Sequence, residues 1–262
     1  MRNWCLIVSL CLTVNGFAQR VELGLVAGAC NYWGDLSPSL VSGETHPTFG
    51  FFTRLNLNHT WAVKAELNRL TVSGADANFD FNKTRNLSYK SDINEASVIF
   101  EFNYLKYSTH VLHENFTSYL FLGVGAFQFN PQAQLNGTWY DLSDYKTEGI
   151  DYKKLSVAVP FGIGIKWMLS NKFAFESQLN FRKTYTDYLD DASNVYPDVT
   201  SRFNDGGLIT ATLTDRSIEL YGTPQFEKGY KRGDPSHKDW YMGLTMGFSM
   251  RLNTRSKCPR FF

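Results

Sequence analysis

No stretch of the 262 residues stays apolar for the roughly 20 positions that a membrane-crossing helix needs. Charge is scarce and balanced: Asp, Glu, Lys and Arg make up 19% of the chain, and the formal net charge is +1. A nucleic-acid binder carries a basic excess, which is missing here. Cysteines number 4, and Cys5 and Cys11 fall in the leading segment. The other two, Cys30 and Cys258, are expected at opposite ends of the fold, which excludes a disulfide scaffold. No glycine-rich loop lies between a strand pattern and a helix pattern, so no phosphate or dinucleotide site is expected, and no cofactor or small-molecule substrate. What the chain has in quantity is aromatic residues, 16%, and they recur at alternate positions.

Residues 1–18 are a different kind of text. Arg2 precedes a short apolar core, WCLIVSLCLTV, and Gly16-Phe17-Ala18 places small residues where a signal peptidase reads. This is a secretory signal peptide, cut before Gln19, and it is too short for a membrane anchor. Leu10 before Cys11 is too large for a lipoprotein signal. Residues 19–252 then form one domain, and 253–262 are a basic tail with Arg255, Lys257 and Arg260.

The clearest pattern in that domain is 240–252, WYMGLTMGFSMRL. Trp240, Met242, Leu244, Met246, Phe248 and Met250 share one parity, and Tyr241, Gly243, Thr245, Gly247, Ser249 and Arg251 share the other. Strict period-two alternation means an extended strand with one oily face. Its length suits a tilted bilayer-crossing strand of about 9–11 residues. Similar alternation marks strands near 21–28, 49–58, 61–68, 94–107, 155–169 and 172–184. The stretch 116–130 is apolar on both parities, so its facing stays open. After Asn68, Arg69 falls on the apolar parity and marks either a bulge or the exit from hydrocarbon. Pro160, lacking a ladder donor, is expected at a bulge or a rim.

The fold expected is therefore all-β, an eight-stranded antiparallel up-and-down transmembrane barrel, the smallest even count among outer-membrane barrels. Connections alternate short and long, which places the short turns and both termini in the periplasm and the long loops outside. A soluble sandwich or lipocalin-like barrel also alternates, with its apolar face inward. Glycine and serine on the polar faces, aromatic strand ends and loop parity favour the membrane barrel. Its lumen would then hold Glu22, Arg54, Lys64, Glu66, Glu101, Lys166, Glu176, Arg182 and Arg251. Eight strands leave an interior that side chains fill, so these charges are expected to pair into a plug and not an ion path.

The loops carry distinct segments. Loop 1 has Tyr32-Trp33-Gly34-Asp35-Leu36; loop 3 opens with Phe129-Asn130-Pro131-Gln132-Ala133. The last loop opens with Thr186-Asp187-Tyr188-Leu189-Asp190-Asp191 and closes with Arg232-Gly233-Asp234 and Asp239-Trp240-Tyr241. It is too long for a structureless link, and 208–221 suits a short helix. Together with Glu22-Leu23-Gly24, these segments in this order resemble the PorG-like family of outer-membrane barrels from the type IX secretion system of Bacteroidetes. The resemblance implies a non-enzymatic integral outer-membrane subunit. It also implies periplasmic docking on the ring formed by a lipoprotein and its partner subunit. A free-standing barrel for envelope integrity or adhesion is the alternative. Other chemistry is weaker. Asp187, Asp190 and Asp191 lack calcium-loop spacing, and Asp190, Asp191 and His237 lack nucleophile–base spacing for a hydrolase. Arg232-Gly233-Asp234 reads as a bend set by Gly233 and Pro235, ahead of an adhesion tripeptide.

Overall fold

The computed structural model describes residues 21–107 and 115–252. The expected signal peptide at 1–18, the tail at 253–262 and Cys258 lie outside the described residues. In chain order the strands are β1 (Val21–Trp33), β2 (His46–Asn56), β3 (Trp61–Ala75), β4 (Ser88–Asn103), β5 (Phe116–Leu135), β6 (Thr138–Asp141), β7 (Leu155–Met168), β8 (Phe173–Thr184) and β9 (Trp240–Arg251). Eight of them form an antiparallel ring. It runs β4-β3-β2-β1-β9-β8-β7-β5 and closes through β4–β5 pairing. Closure satisfies every strand edge, which a bilayer demands because it offers no water to stray N–H and C=O groups.

β6 is the exception: it folds back on the end of β5 through Leu135↔Thr138 to Gln132↔Asp141. Asn136 (φ 51°) and Gly137 (φ 82°) form its turn, both in the left-handed region that an Asn-Gly hairpin requires. The strand count from sequence omits this hairpin, although Asn-Gly was its signal.

Facing follows the alternation. Met246, Phe248 and Ile163 are 53%, 60% and 54% exposed, against 2%, 0% and 5% for Glu66, Glu101 and Arg182. On β5, Thr117, Tyr119, Phe121, Phe127 and Phe129 point inward, and Leu120, Leu122 and Val124 outward. The β4 register decides this, since Glu101↔Phe121 and Val98↔Val124 are cross-strand partners on a shared face. The oily exterior ends in aromatic rings. Trp61, Phe116 and Trp167 stand near the short turns, and Trp33 and Trp240 near the long loops, as interfacial anchors do.

Several strands run further than their apolar pattern. β3 continues to Ala75 in unbroken register with β4, so Arg69 is not a bulge. It stays outward, beside Asp92 at 3.9 Å. Beyond it the polarity of the wall inverts. Lys90, Asp92, Asn94 and Gln128 face out, and Leu70, Val72, Ile93, Phe127 and Phe129 pack inside with Tyr32, Tyr89 and Tyr241. The wall has left the hydrocarbon there and is built as a water-soluble barrel. Pro160 sits inward on β7, paired with Arg182, where the β5–β7 ladder skips Gly123 and Val124 without changing register. It therefore makes a ladder gap, not a bulge.

The last loop is helical in part. α1 (Leu142–Tyr145) is one turn in the third long loop; α2 (Val199–Thr214) and α3 (Ile218–Tyr221) lie in the fourth. α2 breaks at Gly207 (φ 73°), so a first segment starts behind an Asp198 cap and the helix expected from 208 begins after the break and stops at Asp215, short of 221. The Asp215 carboxylate accepts from the Ser217 N–H and hydroxyl and from the Gln225 and Phe226 N–H groups. That turn chemistry competes with helix continuation.

A charge at mid-wall tests the facing. Met246→Arg should cost about 2–4 kcal/mol in unfolding from lipid vesicles, against roughly 0–1 for the same change near an interface. No difference between the two positions would contradict the lipid-facing assignment.

Candidate functional site

Two constellations of buried polar residues fill the barrel. The first occupies the lumen. Glu22, Glu66, Glu95, Glu101 and Glu176 meet Arg54, Lys64, Lys166, Arg182 and Arg251, five acids for five bases, all on inward positions. Arg54 is the hub. Its Nε and Nη2 donate to Glu101 at 2.8 and 3.1 Å, its Nη1 to Glu22 at 2.9 Å, and Nη2 also to Glu176. Lys64 Nζ stands 2.8 Å from Glu66 and donates to Gln178 at 3.1 Å. Lys166 Nζ donates to Glu101 at 2.5 Å and lies 4.3 Å from the Tyr119 ring. Arg182 donates to Glu95 at 2.8 Å, and the Tyr241 hydroxyl donates to the same carboxylate. Arg251 is the cross-strand partner of Glu22.

All nine charges predicted from sequence are inward, and the network gains Glu95, which sequence reasoning missed. Glu95 shares the parity of Ser97 and Glu101 and falls inside the strand expected over 94–107, so the period of two was signal enough. At the short-turn end the space among Glu22, Tyr107, Met168 and Arg251 is about 10 Å³, room for one water. The lumen is a filled plug at this end.

The second constellation caps the barrel under the long loops. The β1 chain turns sharply after Trp33, with Gly34 and Ser37 exchanging backbone hydrogen bonds at 3.1 and 3.2 Å. Tyr32 points inward, and its hydroxyl lies 2.7 Å from Asp190 Oδ2 and 2.6 Å from Asp239 Oδ1. The remaining oxygens accept backbone N–H groups, Asp190 from Ala192 and Asp239 from Leu189, each at 3.0 Å. A phenol has one proton to give. Two short contacts to two carboxyls therefore require one carboxyl to be protonated and to donate back. Gly34 is needed beside this seam: a Cβ there would stand 2.0 Å from the Tyr32 oxygen and 2.6 Å from Asp239 Oδ1.

Beside the seam, Arg232 is buried between Glu148 (3.2 Å) and Asp191 (3.4 Å). Asp191 also accepts from the Thr147 and Tyr152 hydroxyls, and Glu148 accepts from the Ser193 and Asn194 N–H groups. Gly233 lies so close to Ala192 that a Cβ would meet its carbonyl oxygen at 2.4 Å. Asp35 accepts from the Asp234 N–H, and Arg85, paired to Asp76, donates to the Asp35 and Arg232 carbonyls. Asp187 accepts from Ser193, and the Tyr188 ring stacks on Tyr152 at 4.5 Å.

The structure thus gathers Tyr32, Gly34, Asp35, Asp187, Tyr188, Asp190, Asp191, Arg232, Gly233 and Asp239. Asn130 instead ties Asp141 and Lys154 on the β5–β6 hairpin, with Pro131 beside it, and Trp240 faces out toward Phe161. Asp187, Asp190 and Asp191 turn to three different partners and do not converge on one ion. His237 is exposed beside Asp234 at 3.5 Å, apart from the buried Asp190 and Asp191. The Arg232 guanidinium is buried, so Arg232-Gly233-Asp234 offers no adhesion tripeptide to solvent. Thr147, Glu148, Tyr152, Arg85 and Asp76 were missed as site residues, because nothing in their spacing names partners across the barrel mouth.

A closed eight-stranded wall with an oily exterior and an ion-paired lumen defines a bilayer-spanning β-barrel of the outer-membrane class. A family model described as Domain of unknown function (DUF6089) matches residues 1–210, and the chain belongs to that family. Among solved structures it is similar to the N-terminal β-barrel domain of Pseudomonas aeruginosa OprF, at 11% identity over 88% of this chain and 98% of that one, TM-score 0.37. It is also similar to Yersinia pestis Ail, at 10% identity over 87% and 97% of the two chains, TM-score 0.40. Neisserial surface protein A is similar at 8% identity over 88% and 96%, TM-score 0.41. No curated protein matches.

The lumen and the cap each make a prediction. Glu101→Gln leaves Lys166 without an ion pair among the described residues and takes one of three carboxylates from Arg54, and breaking a buried pair of this kind costs about 3–5 kcal/mol. Urea unfolding in micelles should show it; an unchanged midpoint would refute the plug. In the cap, burial raises the carboxyls of Asp190 and Asp239 well above the ordinary range, and pushes that of Asp187 up to about 6. A carboxyl raised in the fold stabilises it while protonated, and that contribution is lost as pH rises through the folded value. The cap should therefore loosen across and above about pH 6. Hydrogen exchange at the Leu189 and Ala192 amides, corrected for intrinsic rate, should show less protection at about pH 8 than at about pH 5. Asp190→Asn, which carries its own donor, should flatten the difference. Equal protection in the wild-type protein at both values would contradict the shared proton.

Proposed function

We propose that this protein is a non-enzymatic barrel subunit of a type IX protein secretion machine. It would sit in the outer membrane with its short turns, both termini and the tail at 253–262 in the periplasm. There it docks on the ring formed by a lipoprotein and its partner subunit. The observation that carries this reading is the convergence of the resemblance segments. Tyr32-x-Gly34-Asp35, the 187–191 acids, Arg232-Gly233 and Asp239 come from three places in the sequence and meet in one buried cap. A set of residues that builds a single core explains why those segments occur jointly and in that order. The plugged lumen supports the same reading, because a filled barrel acts through contacts and not through conduction. The separation of His237 from Asp190 and Asp191 fits a non-enzymatic role.

The second reading, a free-standing barrel for envelope integrity or adhesion, draws support from apolar side chains on the long loops. Phe81, Leu208 and Tyr230 are exposed there. Such residues suit contact with another surface.

Pull-down from detergent-solubilised membranes separates the two. Ring subunits should co-purify in stoichiometric amounts, and deleting the gene should cut surface export of secreted cargo. Unchanged export and an empty pull-down would leave the free-standing barrel in place.

A further inference from the structure

We propose that the cleft at the long-loop end of β1, β7, β8 and β9 binds a phosphorylated membrane lipid. Its phosphate lies between Lys183 and Lys238, and its acyl chains lie on the wall beyond. This rests on the bilayer-spanning fold and is independent of the secretion reading.

The cleft measures about 610 Å³ and is lined on the outer face by Trp33, Phe161, Phe181 and Trp240, with His237 and Lys238 at its rim. Its walls are ordered. Phe161 stacks on Phe181 with centroids 5.6 Å apart and meets Trp240 edge-on at 6.0 Å. Lys183 is the cross-strand partner of Trp240, with Nζ 5.6 Å from its ring. Lys238 precedes Trp240 by two residues and donates to the Pro235 carbonyl at 3.1 Å. Lys238 thus lines the aromatic cleft, and Lys183 stands against Trp240, one of its walls.

Among the described residues neither lysine forms an ion pair. Some other cations at this end do: Arg69 with Asp92, Lys146 with Asp151, and Lys154 with Asp144. The nearby carboxylates take their hydrogen bonds from other groups. Asp35 lines the cleft but accepts from the Asp234 N–H, and Asp187, within electrostatic reach of Lys238, accepts from Ser193. Toward the bilayer the outer wall continues as Leu179, Leu244, Met246 and Phe248. Lysine heads free of ion pairs at the aromatic ring, with oil beneath it, complement an anionic headgroup on acyl chains.

Native mass spectrometry of the full chain in detergent tests this with phosphatidic acid and phosphatidylcholine of the same acyl chains. The wild-type protein should retain the phosphatidic acid preferentially. Lys183→Gln with Lys238→Gln should weaken retention by about fivefold for each cation removed. Lys183→Arg with Lys238→Arg should keep it, and so should Lys90→Gln, a lysine over Trp139 on another part of the wall. Heat-modified migration on gels confirms that each variant is folded. Equal retention of both lipids, or no loss in the glutamine pair, overturns the proposal. An equal loss in Lys90→Gln overturns it too, because the effect would then be general charge. Displacement by inorganic phosphate would show an anion site without lipid, and that also overturns it.

Discussion

Pairing of charge inside the wall is the constraint on which the rest depends. A barrel in lipid must turn its oily side chains outward, so its polar ones are driven into an interior too narrow for bulk water. Five carboxylates and five cations occupy that interior, and none would be tolerable alone. Arg54 touches three carboxylates from three other strands, β1, β4 and β8. It thereby joins opposite sides of the ring through the lumen. Backbone ladders set neighbours in register, and the ion pairs hold the far walls together. A protein held this way is rigid and closed, and its contacts with other molecules fall to its ends and its outer face.

The same strands are built to two opposite rules. Where lipid surrounds the wall, the outside is oily and the inside charged. Where β3, β4 and β5 rise past Arg69, Asn94 and Gln128, the outside is polar and the inside is a packed core of Phe127, Phe129, Val72 and Ile93. Solvent inverts the pattern, because apolar area is buried from whichever side water occupies. The projecting wall gives the long loops a hydrophobic base, and Leu189, Ala192 and Leu213 pack down onto it. The loops are consequently ordered although they are far longer than ordinary connections. Above that base, the Tyr32 hydroxyl couples the start of the last loop to its end, through Asp190 and Asp239.

The strands and their facing were legible residue by residue. Along most of β9, β8 and β7 the inward positions are small, polar or charged and the outward ones oily, with Ser177 and Lys183 outward and Met168 inward as exceptions, so period two alone placed Glu176, Arg182 and Arg251 inside. β5 resisted because Phe121 and Leu122 are equally apolar. Its facing came from its neighbour, whose Glu101 cannot face lipid. Arg69 was ambiguous for a related reason, since one charged residue looks the same at a bulge and at a membrane boundary. Of the cap, the sequence offered the segments but no sign of their partners. Glu148 and Asp191 are 43 positions apart, and both reach Arg232 only because the loops share one mouth.

The sequence alone determined the strand plan, the oily belt and the charged lumen. These follow from a local period of two and from the exclusion of charge from hydrocarbon, and neither needs knowledge of distant contacts. The tertiary structure alone decided which charges meet and that the scattered loop acids form one seam with Tyr32. It also decided that Lys183 stands over Trp240, which shares a cleft with Lys238. Those facts depend on ring closure, which brings remote residues within hydrogen-bond reach and leaves no trace in the spacing along the chain.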